Sequence, residues 1–183
     1  MESWDVVVPM GSGLLKPGQM DPFGDRRVAV ACMAVLAKLA WEILCVGSYN
    51  HPASGKCFAE VACEAASSRG IPEAKIWHEP HPKEFSVDTR GDVAQIVRFA
   101  ARCSSLSSIL IVTEYPHWIR VRLELLRQGW DGKIGFLSSK NPVTIKYWAK
   151  EMIALFVSFL PVKVQARIDG AYHRISDKMR GGS

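Results

Sequence analysis

The clearest structural signal in this 183-residue chain is Ile109-Leu110-Ile111-Val112-Thr113-Glu114-Tyr115-Pro116-His117-Trp118-Ile119-Arg120. Its opening apolar run is too short for a helix and rich in β-branched residues, which predicts a strand buried on both faces. Pro116 suits the first turn of a helix that follows directly. Ligands of open α/β sheets bind outside the carboxyl ends of the strands, so Thr113, His117 and Arg120 are candidate ligand-binding residues.

The rest of the chain repeats this alternation of strand and helix. We predict strands over residues 5–10, 41–47, 74–78, 109–113 and 133–138. We predict helices over residues 25–40, 56–69, 88–103, 116–128 and about 141–160, with a loop rich in proline and glycine over residues 11–24. This order predicts an α/β fold: a three-layer Rossmann-like sandwich, with a mostly parallel five-stranded sheet and helices on both faces.

Length and charge limit the organisation and the partners. We predict one domain over residues 1–162 and a basic C-terminal extension over residues 163–183. A net charge of +5 favours an anionic small-molecule ligand. No long basic run is present, which argues against nucleic acid as a partner. The oligomeric state stays open.

Apolar segments and cysteines bear on location. The longest apolar run, residues 153–162, is shorter than the roughly 20 residues that a membrane span needs, and we expect a core helix there. The start of the chain, Met1-Glu2-Ser3-Trp4-Asp5, is acidic and does not resemble a signal peptide. Five scattered cysteines without a CxxC pair predict free thiols and a cytoplasmic location.

The loop after the first predicted strand carries the first candidate anion site. Gly11, Ser12 and Gly13 allow close backbone approach and can offer consecutive amides to a phosphate, although an ordinary turn explains them equally well. Arg27 stands near the start of the next helix, where a cation gains nothing from the helix dipole. A bound anion would explain it, and so would an ion pair with Asp21 or Asp25.

Two further loops follow the second and third strands. The long loop 47–55 contains Ser48, and Glu60 lies in the helix after it; a solvated loop is the alternative. Ser86, Asp88 and Thr89 precede the third helix and can bind a hydroxyl or amine, or simply cap that helix. The neighbouring segment His78-Glu79-Pro80-His81 lacks a third ligand, so we predict no metal site.

His117 is the main candidate for proton transfer. In the first helical turn it feels the positive end of the dipole, which favours a neutral imidazole able to donate a hydrogen bond or act as general base. Alternatively, the ring packs against a neighbouring strand. Arg120 can clamp an anion, or pair with Glu124 four residues on.

These motifs resemble those of the YdcF/SanA/ElyC-like domain family over residues 4–160. The family pattern Val-Thr-Ser-x-x-His-x-x-Arg stands here as residues 112–120 with Glu114 in place of serine, and a second pattern resembles Glu79 followed by residues 86–92, with aspartates in place of both asparagines. Arg27, Glu60 and Glu151 are similar to further family positions. The resemblance implies a Rossmann-like fold with one cleft at the strand ends, and S-adenosylmethionine as a possible ligand.

The sequence therefore favours a small-molecule-binding domain for an anionic, nucleotide-like or phosphorylated ligand. The first alternative is a transferase or hydrolase acting on a phosphorylated or activated substrate, with His117 as general acid or base assisted by Glu114 or Asp88. The second is a non-catalytic interaction protein, suggested by the basic C-terminal segment and by possible surface tryptophans at Trp118, Trp130 and Trp148.

Overall fold

A parallel five-stranded sheet forms the centre of the protein. The computed structural model describes residues 3–16, 19–47, 56–78 and 88–159. The strands of the main sheet are β1 (Trp4–Pro9), β4 (Ala40–Cys45), β5 (Ile76–His78), β6 (Ser108–Thr113) and β7 (Lys133–Ser138). They lie in the order β5-β4-β1-β6-β7, and every pair is parallel. The predicted fold class is confirmed.

The segment between β1 and the first helix differs from the prediction. β2 (Leu14–Lys16) and β3 (Gln19–Met20) form a small antiparallel pair where we expected only loop. Helix α1 covers Pro22–Leu36 and so begins before the expected Asp25. The reason is local, because the Asp21 side chain accepts a hydrogen bond from the Gly24 amide and Pro22 suits the first helical position.

Helices cover both faces of the sheet. The remaining helices of this part are α2 (Phe58–Ser68), α3 (Thr89–Arg102) and α4 (Tyr115–Arg127), with a short 3-10 helix at Glu73–Lys75. Val7 of the central strand packs in one core with residues of α1 and α2. Val6 and Val8, which point the other way, pack in a second core with residues of α3 and α4. Trp130 also lies in this second core, so the idea that it is a surface residue was wrong.

The strand order sets the position of the site. The chain runs outward from β1 through β4 to β5, then returns to place β6 on the other side of β1. The order therefore reverses between β1 and β6, and in open α/β sheets ligands bind at the carboxyl ends of such a strand pair. Residues from Met10 onward and from Glu114 onward follow these two strand ends.

The chain divides into two compact units, Met1–Pro142 and Val143–Ser183. In the second unit, α5 covers Ile145–Ser158, later than the expected start, and Thr144 caps it by accepting from the Tyr147 amide. Several of its apolar side chains are exposed, including Ile145 at 89% and Phe156 at 77%, and the last part of the expected core helix, residues 160–162, lies outside the described residues. No helix in the described ranges has the length and apolar character needed to cross a membrane.

Candidate functional site

A buried ion pair joins α1 to the loop after β6. Arg27 is 3% exposed and Glu114 is 1% exposed. The guanidinium donates to both carboxylate oxygens, through Nη2 to Oε2 and through Nε to Oε1 at 3.3 Å. Its Nη1 donates to the carbonyl oxygens of Met10 and Gly11, at 3.1 Å and 2.7 Å. Arg27 therefore ties α1 to the ends of β1 and β6.

The Glu114 carboxylate also holds the residues that follow β7. Ser139 Oγ and Asn141 Nδ2 both donate to Glu114 Oε1, at 2.6 Å and 2.5 Å. Burial alone raises the pKa of Glu114, but the hydrogen bonds and charge of Arg27, together with the bonds from Ser139 and Asn141, outweigh it and lower the pKa to about 2. Glu114 is therefore ionised at neutral pH and bonded on both oxygens.

The glycine loop after β1 already holds an anionic group of the chain. The Asp21 carboxylate accepts from Ser12 Oγ at 2.8 Å and from the Gly13 amide at 3.2 Å. It also accepts from the Gly24 amide at 2.7 Å. The loop thus has the donors that the sequence suggested for a phosphate, and in this structure they bind a carboxylate.

His117 lies buried between two threonine hydroxyls. Thr113 Oγ1 is 2.8 Å from His117 Nδ1, and Thr89 Oγ1 is 3.0 Å from His117 Nε2. All three residues are at most 6% exposed. Because a hydroxyl both donates and accepts, this arrangement holds the ring in either neutral tautomer or as imidazolium. The ring can therefore take up or release a proton while both hydrogen bonds persist.

The start of α4 faces the same strand ends. Glu114 is the N-cap residue of α4 but provides no side-chain cap, since its carboxylate bonds Arg27, Ser139 and Asn141. Arg120 lies one turn after His117 in this helix and is partly buried. The Glu124 carboxylate, which the sequence offered as a partner of Arg120, lies 3.7 Å from Arg90 Nε and 3.6 Å from Arg127 Nη1.

Helix α3 places three polar side chains along the sheet edge. Thr89 reaches His117, and through it the end of β6. The Asp92 carboxylate lies beside Gly11 after β1: a Cβ added at Gly11 would be 2.6 Å from Asp92 Oδ2. Gln95 Oε1 accepts from the Gly47 amide after β4 at 2.9 Å. Residues 89, 92 and 95 therefore lie next to the ends of β6, β1 and β4, in the order in which these strands stand in the sheet.

The sequence reasoning missed Gln95, whereas Asp92 belongs to the segment 86–92 that it compared with a family pattern. A signal was present, because Gln95 is a polar residue among the inward-facing Val93, Ile96 and Phe99 of α3. A fully buried glutamine next to apolar positions needs a hydrogen-bond partner, and this requirement identifies it as a residue of interest.

The remaining predicted residues have local roles or lie outside the description. Asp88 caps α3 by accepting from the Gly91 amide at 3.0 Å, the capping alternative. Glu60 accepts from the Cys57 amide at 2.6 Å in a capping box at the start of α2. Ser48 and Ser86 lie outside the described residues. Within the described ranges, no cluster of three histidine, cysteine or acidic residues has the arrangement of a metal site.

All five cysteines are free thiols, as expected.

Comparison with protein-family models, curated proteins and solved structures finds no significant match to the chain.

Proposed function

We propose that this chain is a small-molecule-binding domain. Its ligand is anionic, either nucleotide-like or phosphorylated, and lies at the carboxyl ends of β1 and β6. The observation that carries the proposal is His117, buried with Thr89 and Thr113 at the strand pair where the order of the sheet reverses. Bonding both ring nitrogens of this histidine uses two threonine hydroxyls, one at the end of β6 and one at the start of α3, and a hydrophobic side chain would pack there more simply. A role in ligand binding explains why a histidine rather than a hydrophobic residue lies at this position.

The start of α4 supports an anionic ligand. Glu114, the N-cap residue of α4, provides no side-chain cap, and the dipole of a helix start attracts negative charge. Arg120 adds a cationic side chain in the second turn of the helix. The net charge of +5 favours the same sign of ligand.

Arg27 and Glu114 support the site in this proposal rather than contact the ligand. Each is almost fully buried, and they bond each other and the strand-end loops. A carboxyl with a pKa of about 2 is also a poor proton acceptor near neutral pH. In an enzymatic role of this site, we therefore assign proton transfer to His117.

A thermal-shift screen tests the proposal directly. The probes are AMP, S-adenosylmethionine, ribose 5-phosphate and inorganic phosphate, each with the full chain, with His117→Ala and with Arg120→Ala. His78→Ala is the matched control, because His78 is exposed at the end of edge strand β5. A ligand at 100 times its Kd stabilises a protein by about 2.7 kcal/mol, which such a screen detects.

The outcomes separate clearly. We expect at least one phosphorylated or nucleotide probe to stabilise wild type and His78→Ala, and to lose its effect in His117→Ala. A stabilising probe that acts equally on all variants would place the ligand elsewhere and contradict the proposal. The absence of any shift in wild type would also contradict it.

A second candidate is an enzyme, a transferase or hydrolase acting on a phosphorylated or activated substrate. The arrangement of a hydroxyl at each ring nitrogen favours it, since a base oriented by one group and bonded to another is the usual geometry of proton transfer. In this case His117→Ala would abolish turnover while substrate affinity changes less. A pure binding protein has no turnover to lose, so product formation by wild type decides between the two.

Membership of the YdcF/SanA/ElyC-like family is part of the same proposal. It is supported by the motif at residues 112–120 and by the position of that motif at a strand end. S-adenosylmethionine as a ligand depends on this resemblance alone. The cytoplasmic location is likewise a proposal.

A further inference from the structure

One buried hydrogen-bond donor beside the strand ends has no partner. Gln95 is completely buried, and within the described part of the chain its Nε2 makes no hydrogen bond. The orientation of the side-chain amide is fixed, because Oε1 accepts from the Gly47 amide at 2.9 Å. If the side chain were flipped, its NH₂ group would face the Gly47 N–H, donor against donor. The unpartnered NH₂ therefore cannot be relieved by rotation of the side chain.

An unpartnered buried donor is unfavourable, and native proteins contain few of them. Leaving such a group unsatisfied costs about 1–3 kcal/mol. Gln95 could have been an apolar residue, since Val93, Ile96 and Phe99 surround it on the inner face of α3. A ligand that accepts from Nε2 would remove the cost.

The neighbouring carboxylate restricts the kind of ligand. Asp92 lies one turn before Gln95 on α3, and its Oδ2 is next to Gly11, which in turn contacts Gly47. A phosphate or carboxylate would satisfy Gln95 Nε2 but would bring a second negative charge close to the Asp92 carboxylate. An amine would suit Asp92 but could not accept from Nε2. A hydroxyl suits both, because it accepts from the amide and donates to the carboxylate.

We infer that Gln95 and Asp92 bind a hydroxyl group of the ligand, such as a hydroxyl of ribose or of another sugar. The inference rests on the proposed function and names the part of the ligand at the ends of β1 and β4. The anionic part lies at the start of α4, toward β6. Gly11, which lies beside Asp92, is partly exposed, so this part of the proposed site lies near the protein surface.

Paired ligands test the inference. AMP and 2′,3′-dideoxy-AMP share base and phosphate but differ in the diol, and ribose 5-phosphate tests a sugar without a base. The variant is Gln95→Glu, which keeps an acceptor for the Gly47 amide and replaces the NH₂ group by oxygen. Gln128→Glu is the matched control, because Gln128 also lies one turn after a carboxylate, but its Nε2 already donates to Glu124 Oε1 and the Arg90 carbonyl.

Calorimetry gives the expected result as ratios of Kd. We expect wild type to bind AMP about fivefold or more tightly than the dideoxy form, the factor that corresponds to one net hydrogen bond. The preference should disappear in Gln95→Glu and persist in Gln128→Glu. Ribose 5-phosphate binding with the same dependence on Gln95 would show that the sugar alone suffices.

A second measurement does not depend on the variant folding. In wild type, the side-chain NH₂ resonances of Gln95 should shift with AMP and not with the dideoxy form. Equal binding of both forms, dependent on His117, would overturn this inference and leave the proposed function intact. Failure of every phosphorylated probe to bind would overturn both.

Discussion

Arg27 and Glu114 lie 87 residues apart in the sequence and form a buried ion pair with bonds to both carboxylate oxygens. Charges in an interior are costly unless each is paired and hydrogen-bonded, and here the remaining groups bond backbone carbonyls, Ser139 and Asn141. The pair therefore belongs to the framework that positions His117, since Glu114 stands three residues before it at the start of α4.

Replacement of Glu114 should destabilise the fold strongly. Glu114→Gln leaves the Arg27 charge buried without its counter-ion, and loss of one partner of such a pair costs about 3–5 kcal/mol. Chemical denaturation measures the change in the free energy of unfolding. Glu64→Gln is the control, because Glu64 pairs with Lys56 and both side chains are about half exposed. An exposed ion pair of this kind contributes at most about 1 kcal/mol. Equal effects of the two substitutions would contradict the assignment.

Stability should fall in acid because of the same carboxylate. The folded pKa of Glu114 is about 2, below the ordinary value of 4.5, so the folded state binds fewer protons than the unfolded state between these values. Its contribution, on the order of 3 kcal/mol, is complete above about pH 4.5 and is lost as the pH falls toward 2. The difference in unfolding free energy between wild type and Glu114→Gln should shrink over this window. A difference that stays constant from pH 7 to pH 2.5 would show that the carboxylate is not the source.

The hydroxyl of Thr113 should control which tautomer the His117 ring adopts. Thr113→Val removes the partner of Nδ1 and keeps the shape of the side chain, so one buried ring nitrogen loses its bond at a cost of about 1–3 kcal/mol. The ¹⁵N resonances of the His117 ring should report a changed tautomer population. Thr113→Ser, which keeps the hydroxyl, should leave these resonances close to those of wild type.

Gly11 should tolerate no side chain. A Cβ at this position would lie 2.6 Å from Asp92 Oδ2 and 2.9 Å from the Gly47 Cα, and overpacking of this kind costs about 1–3 kcal/mol. Gly13→Ala is the control, since the nearest atom there is 3.3 Å away. Thermal unfolding should rank Gly11→Ala as the less stable variant. Addition of Asp92→Ala should recover only part of the loss, because the Gly47 backbone stays in place.

Removal of the Asp21 carboxylate should reveal whether the glycine loop binds an external anion. Asp21→Ala removes a helix cap, at about 1–2 kcal/mol, and releases the Gly13 and Gly24 amides and Ser12 Oγ. Sulfate should then stabilise Asp21→Ala more than wild type at equal ionic strength. The same response in both proteins would show that the loop is specific for its own aspartate.

Much of the architecture could be predicted because its causes are local. The run Ile109–Thr113 lies within β6, and apolar runs separated by helical segments are sufficient to indicate a parallel sheet. The hairpin β2–β3 escaped prediction because strands of three and two residues are too short to show a period. The early start of α1 had a signal in Asp21-Pro22, which the following Phe-Gly obscured.

The partners within the site could be predicted only in part. Thr113 and His117 are four residues apart, so their contact follows from a strand end and one helical turn. Arg27 could be identified as unusual, but its partner Glu114 depends on which strands are neighbours. The same holds for Gln95 and Gly47, which are 48 residues apart. Contacts of this kind are set by the order of strands in the sheet, on which local patterns carry no information.

The contacts of the Glu114 carboxylate with α1 and with the residues after β7 have a consequence for motion. Segments that share one buried anchor cannot open one at a time, since release of any of them exposes the same charge. The amide protons of Gly11, Ser139 and the first turns of α4 should therefore exchange with solvent deuterium as one cooperative unit, at a common opening free energy. The strand-end loops of this protein would then behave as a rigid platform that opens as a whole.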